Sequence, residues 1–148
     1  MTRLVNLDLN NNQLESFTSF PMSKSFDSLL LAYNRIDHIS NLGRSPNLTV
    51  LDLHNNKLTL LPDDISELTK LKTLKVSNND LSDLDPRISL LPDLVRINIE
   101  GNPLKSIKTS MRGAGAVELK KYLKFRLSED VVARTEVEHN KEKGLPGN

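Results

Sequence analysis

The stretch LTVLDLHNNKLTLLP, residues 48–62, places leucine at 48, 51, 53, 58 and 61 and asparagine at 56. A helix would repeat its apolar side chains every three or four residues, and a half-buried strand every two. Neither period covers this spacing. Leu51 and Leu53 alone are two apart, which makes one short strand with both leucines on one face. Leu58 and Leu61 turn to the same side only if the chain curls round after Asn56.

The pattern has apolar residues at its first, fourth, sixth, eleventh and fourteenth positions and asparagine at its ninth, and it occurs five times. The first copy uses Leu4, Leu7, Leu9, Asn12, Leu14 and Phe17; the second uses Phe26, Leu29, Leu31, Asn34, Ile36 and Ile39. The third is the quoted stretch. The fourth uses Leu71, Leu74, Val76, Asn79, Leu81 and Leu84, and the fifth Leu94, Ile97, Ile99, Asn102, Leu104 and Ile107. Successive asparagines lie 22 or 23 residues apart. A single copy cannot bury its apolar side, whereas stacked copies share one continuous core. The expected fold is therefore α/β: a curved right-handed solenoid with a parallel sheet on its concave face and short 3₁₀ or irregular convex segments.

Asn12, Asn34, Asn56, Asn79 and Asn102 fall where each strand turns into the coil, and there the backbone has lost its ladder partner. An asparagine carries two donors and an acceptor on a short stem. Stacked in a row, these amides are expected to satisfy backbone groups of their own and neighbouring coils. On the convex side, LLPDDISELTK and LDPRISLLPD each place a proline before the apolar pairs Ile65/Leu68 and Ile88/Leu91. Proline suits extended backbone or a first helical turn, and Asp63 and Asp64 read as caps of such a turn.

The repeated pattern resembles the leucine-rich-repeat family, in its medium-length and mainly intracellular classes. The likeness covers residues 4–107 directly. It continues through Gly101, Asn102, Pro103, Leu104, Tyr122 and Leu123, where IEGNPLKSIKTSMRGAGAVELKKYLKFRL is similar to family members with a Gly-Asn-Pro-Leu repeat ahead of a basic turn and a helix. The resemblance implies a protein-interaction scaffold without catalytic chemistry, and members of this kind are longer than this chain.

Residues 1–107 are thus expected to be five repeats, 108–127 a capping segment with a helix, and 128–148 a disordered polar tail. Ala116, Leu119, Leu123 and Leu127 share one helical face. Such a helix covers the last coil's core. Residues 105–126 hold seven Lys or Arg and one Glu, which opens a reading as an anionic lipid or RNA site. A solvated cap face explains them more simply, and few aromatics accompany them. The first strand begins almost at Met1, so the first coil is expected to stack on further repeats or a second copy.

With leucines inward, the third, fifth and seventh positions face the concave surface. Copy one then exposes Asn6, Asp8 and Asn10. Ser28, Leu30 and Ala32 follow, then Val50, Asp52 and His54, Thr73, Lys75 and Ser77, and Arg96, Asn98 and Glu100. A protein partner is expected on Leu30, Ala32, Tyr33, Val50, Asp52, His54, Thr73, Lys75, Arg96 and Asn98. Leu30 and Val50, on neighbouring coils, are its apolar centre, and Tyr33 just beyond the strand extends it.

Other function classes find little support. The net charge is +1, so no global field favours nucleic acid or membrane. Without cysteine there are no disulfides and no thiolate sites, which points to an intracellular, cytoplasmic setting. No apolar run spans a bilayer, and the N-terminus lacks a signal peptide's apolar segment. Asn47-Leu48-Thr49 is a sequon of the kind that arises by chance. His38, His54 and His139 lack metal-ligand spacing, and no cofactor is expected. His54 and Asp52 share a strand face, with Ser77 one coil away, yet an open sheet offers no oxyanion hole. The chain is read as a non-enzyme.

Overall fold

The structure is a computed structural model that describes residues 5–18 and 24–128. Its strands are β1 (Asn6–Asp8), β2 (Ser16–Phe17), β3 (Ser28–Leu30), β4 (His38–Ile39), β5 (Val50–Asp52), β6 (Thr73–Lys75) and β7 (Arg96–Asn98). The Leu-x-Leu segments form one parallel sheet in the order β1-β3-β5-β6-β7. Pairing is in phase with the repeat: Leu7 faces Leu29, Leu29 faces Leu51, Leu51 faces Leu74 and Leu74 faces Ile97. Equal repeat length makes this register inevitable once neighbouring coils stack. Leu31, Leu51, Leu53, Leu58, Leu74 and Leu81 lose all contact with solvent in a single aliphatic core.

The asparagine row is the polar counterpart of that core. Asn34, Asn56, Asn79 and Asn102 are buried. In each, Nδ2 donates to a carbonyl of its own coil and to one of the coil before, and Oδ1 accepts an N–H from the coil before. For Asn56 these partners are Leu53 O at 3.1 Å, Leu31 O at 2.9 Å and Ile36 N at 2.9 Å. Asn12 differs from the expected row. It is exposed, and it donates only to Leu9 and Asn10 of its own coil, because no described coil lies beyond it.

A second, two-stranded sheet pairs β2 with β4 on the descending side, which the sequence pattern did not suggest. It stops there for a chemical reason. Ser40 N–H donates to Phe17 O across these coils, but the next coil has Pro62 at the same repeat position and no N–H to offer.

The convex segments contain 3₁₀ turns at Leu42–Arg44, Asp63–Glu67 and Pro86–Leu90. Asp63 and Asp64 do not cap theirs. Asp64 Oδ2 accepts the Gly43 N–H of the neighbouring coil at 2.9 Å, and Asp63 reaches Arg87 of the following coil at 3.1 Å. They join coils instead, since stacked turns bring residues some twenty positions apart into contact. A Cβ at Gly43 would fall 2.0 Å from Glu67 Oε2, so a side chain there would push the Glu67 carboxylate aside.

After the fifth coil come α1 (Thr109–Arg112) and α2, helical over residues 116–128. Ala116, Leu119 and Leu123 bury against the core, as the helical spacing predicts, while Leu127 is half-buried. Much of the basic cluster is spent on this closure. Lys120 Nζ donates to Leu91 O at 2.6 Å, Arg112 donates to Leu104 O, and Arg126 meets Asp83 at 3.2 Å. Tyr122 OH donates to Ser106 O at 2.7 Å. The expected tail, apart from residue 128, lies outside the described residues.

Two carboxyls in this region are perturbed. Partial burial pushes Asp83 up, but hydrogen bonds from Arg126, Ser106 and the Leu84 N–H outweigh it and hold the carboxyl below its ordinary value. Hydrogen bonding from Arg87 holds Asp85 low as well, against the opposing effect of burial. Both therefore stay charged to lower pH in the folded chain than in the unfolded chain. The stability they contribute is complete above the ordinary aspartate value of about 3.9 and is lost as pH falls through the lower folded values. Below about pH 4 the thermal midpoint is expected to fall more steeply for the native chain than for an Asp83→Asn/Asp85→Asn variant, as followed by circular dichroism. Parallel curves would remove these carboxyls from the acid response.

Candidate functional site: the concave sheet

Each strand ends in the same way. The eighth repeat position, just before the ladder asparagine, is left-handed in every coil: Asn11 at φ 59°, Tyr33 at 57°, Asn55 at 57°, Asn78 at 54° and Gly101 at 74°. Asparagine and glycine tolerate this conformation, whereas a bulky side chain adopts it at a cost. The residue types were the available signal, an Asn or Gly before the ladder position in four of the five coils, and Tyr33 is the exception. At Gly101 a Cβ would lie 2.1 Å from Asn78 Oδ1.

Tyr33 is half exposed, at 52%, on the rim of the concave face. Its ring meets His54 of the next coil edge-to-face, with centroids 5.0 Å apart and planes at 80°. His54 Nδ1 in turn lies 2.5 Å from Asp52 Oδ1, which also accepts the His54 backbone N–H at 3.2 Å. Sequence spacing put Asp52 and His54 on one strand face, and the structure joins them. Ser77 makes no hydrogen bond to the imidazole, so no nucleophile–base pair forms. No group of three metal-ligating side chains occurs among the described residues.

Two expected contact residues are placed differently. Ala32 is not exposed but buried, at 1%. Its methyl is short, and its N–H lies under Asn10, whose Oδ1 accepts it at 2.7 Å. Asp52 is also buried, at 6%, between Leu30 and Lys75 in register and bonded to His54. Leu30 and Val50 are half-buried and sit diagonally, since Leu30 faces Asp8 and Asp52 while Val50 faces Ser28 and Thr73. Lys75, Arg96 and Asn98 are exposed as expected, and Thr73 is half-buried.

The leucine rich repeat family profile matches residues 46–104. A leucine-rich-repeat protein from Leptospira interrogans is 31% identical over 70% of this chain, with a TM-score of 0.51; the chain spans 33% of that protein's length. The functional domain of InlJ from Listeria monocytogenes is 25% identical over 74% of this chain and 28% of that one, with a TM-score of 0.47. Residues 46–104 are leucine-rich repeats, and the fold that contains them is a leucine-rich-repeat solenoid. No helix among the described residues is long and apolar enough to cross a membrane.

Proposed function

We propose that the chain is a protein-interaction module that presents the concave sheet to a protein partner, with Tyr33 as an anchor on the rim of the contact. The observation that carries this reading is the backbone at Tyr33. A large aromatic occupies a left-handed position that the other coils give to Asn or Gly, and it keeps half its surface in solvent. Its ring contact inside the chain is the edge of His54, and strain held at a side chain so exposed is a mark of a binding residue. Rigid strands hold Leu30, Val50 and His54 around it before any partner arrives, which lowers the ordering cost of association.

Tyr33→Asn is the direct test. The left-handed strain is relieved, so stability is expected to rise by up to about 1 kcal/mol in urea denaturation. Capture of the partner in an affinity pull-down is expected to fail, as it is for Leu30→Asp. Undiminished capture by both variants would refute the reading.

Part of the proposal is the setting. We read residues 101–123 as similar to a segment of leucine-rich-repeat-containing protein 40, and the place of action as intracellular and cytoplasmic. A second reading rests on the first coil, where Leu7, Leu9 and Leu14 are only partly buried and Asn12 bonds within its own coil. That side suits a further coil or a second copy. Light scattering across a concentration series checks it, and a constant monomer mass would exclude the second copy. The basic 105–126 region is the weakest candidate, because three of its cations already hold the cap.

A further inference from the structure

The charges on the strands of the concave sheet and just before them fall into two blocks. From the second to the seventh repeat position, the coils of β1, β3 and β5 carry Asp8, Asp27 and Asp52 and no Lys or Arg. The coils of β6 and β7 carry Lys72, Lys75 and Arg96, opposed by Glu100 alone.

Neither block is neutralised from within. Each aspartate uses one oxygen for an internal bond: Asp8 Oδ1 takes the Asn10 N–H at 3.0 Å, Asp27 Oδ1 the Thr49 hydroxyl at 2.5 Å, and Asp52 Oδ1 the His54 pair. The second oxygens accept no hydrogen bond among the described residues. Lys72, Lys75 and Arg96 form no ion pair there either. On the convex side and in the cap, Arg87 pairs with Asp63 and Asp85 and Arg126 with Asp83. The unpaired charges of the two blocks lie on or beside the face that is preorganised for binding.

We infer that this face takes a helical segment of a protein partner, with Lys or Arg over β1, β3 and β5, Asp or Glu over β6 and β7, and an apolar residue within the first block, at Leu30, Val50 and Tyr33. Strands are spaced about 4.8 Å apart, and a helix lying across them advances 5.4 Å per turn. One helical turn therefore meets roughly one coil. Complementary charge fixes the direction. A helix is more stable with acids at its N-terminus and bases at its C-terminus, so its N-terminus lies over β7. This rests on the concave reading above and adds the partner's charge order and orientation.

The test pans a displayed library of helix-forming peptides against the whole chain and measures the selected peptides by titration calorimetry. Selected peptides are expected to carry acids in the first turns and bases in the last. Binding is expected to drop by about tenfold or more with Lys72→Glu/Lys75→Glu/Arg96→Glu and with Asp8→Lys, each checked for unchanged circular dichroism, and to weaken with salt. Swapping the peptide's charge blocks is expected to rescue the triple variant. Peptides with interspersed charges, or affinities untouched by both reversals, would overturn the inference. If such peptides still lose binding on Tyr33→Asn, the concave reading stands and only the charge order falls. Insensitivity to every one of these changes, or a library without binders, would count against both.

Discussion

Replacing Asn79 by alanine is expected to cost the solenoid about 3 kcal/mol. The side chain is buried, and its removal strands the Leu58 N–H of the coil before and takes one of two amide donors each from Leu53 O and Val76 O, which keep Asn56 and Asn102. Oδ1 accepts the Leu58 N–H at 3.1 Å, and Nδ2 donates to Leu53 O at 2.9 Å and Val76 O at 3.0 Å. The buried N–H left unpaired costs about 1–3 kcal/mol, and each of the two lost bonds to carbonyls adds about 0.5–1.5 kcal/mol at most. The informative comparison is Asn12→Ala. The same deletion removes an exposed amide that bonds only its own coil, and it is expected to cost under about 1 kcal/mol. Urea denaturation of the two variants decides the matter. Equal shifts in midpoint would mean that bonding between coils is not what these amides contribute.

Leu74→Ala is expected to cost a similar amount, about 3 kcal/mol, for a different reason. Leu74 has no solvent exposure and lies between Leu51 and Ile97 inside the stack, on the fourth of its five strands. Coils on both sides hold their positions through the sheet, so the site cannot collapse, and the lost transfer energy adds to a cavity. Leu7→Ala deletes the same atoms from a half-buried position on the first coil, where one neighbour is β3, and about 1 kcal/mol is expected. Differential scanning calorimetry of the pair tests this. A Leu7→Ala variant as destabilised as Leu74→Ala would contradict the picture of a core deeper inside the stack than at its first coil. A solenoid spreads its stability over nearest-neighbour interfaces, so loss at an inner coil also weakens the cooperation between the coils on either side.

Much of the fold was legible because its signals repeat. Leu51 and Leu53 mean little alone, but five copies in phase admit one backbone path. The asparagine row followed from donor count and position, and its exception at Asn12 is a matter of neighbours. The left-handed corners were legible too, in Asn11, Asn55, Asn78 and Gly101, although Leu-x-Leu spacing drew the eye elsewhere. Tyr33 stood out only when its φ could be set beside theirs. Alternation along a strand separated inward from outward positions correctly, but it carries no information about how tall the neighbouring side chains are. Ala32 and Asp52 are outward by alternation and buried by their surroundings. The acids after Pro62 obeyed the capping rule in sequence and served the adjacent coil in space.

Local chemistry settles the coil in this protein. Period-two leucines make the strand, an Asn or Gly permits the left-handed corner, the ladder amide supplies the missing bonds, and proline starts the convex turn. Apart from the ladder amide, whose bonds also reach the coil before, these act within a single coil, the range over which a single sequence can be read directly. What the coils do to one another was decided only by the tertiary structure: Arg112, Lys120 and Arg126 as closing donors, the halt of the small sheet at Pro62, and the union of Tyr33, His54 and Asp52. Most of these contacts join different coils, and their outcome depends on the size and hydrogen-bonding capacity of the particular side chain on the next coil, which periodicity does not specify.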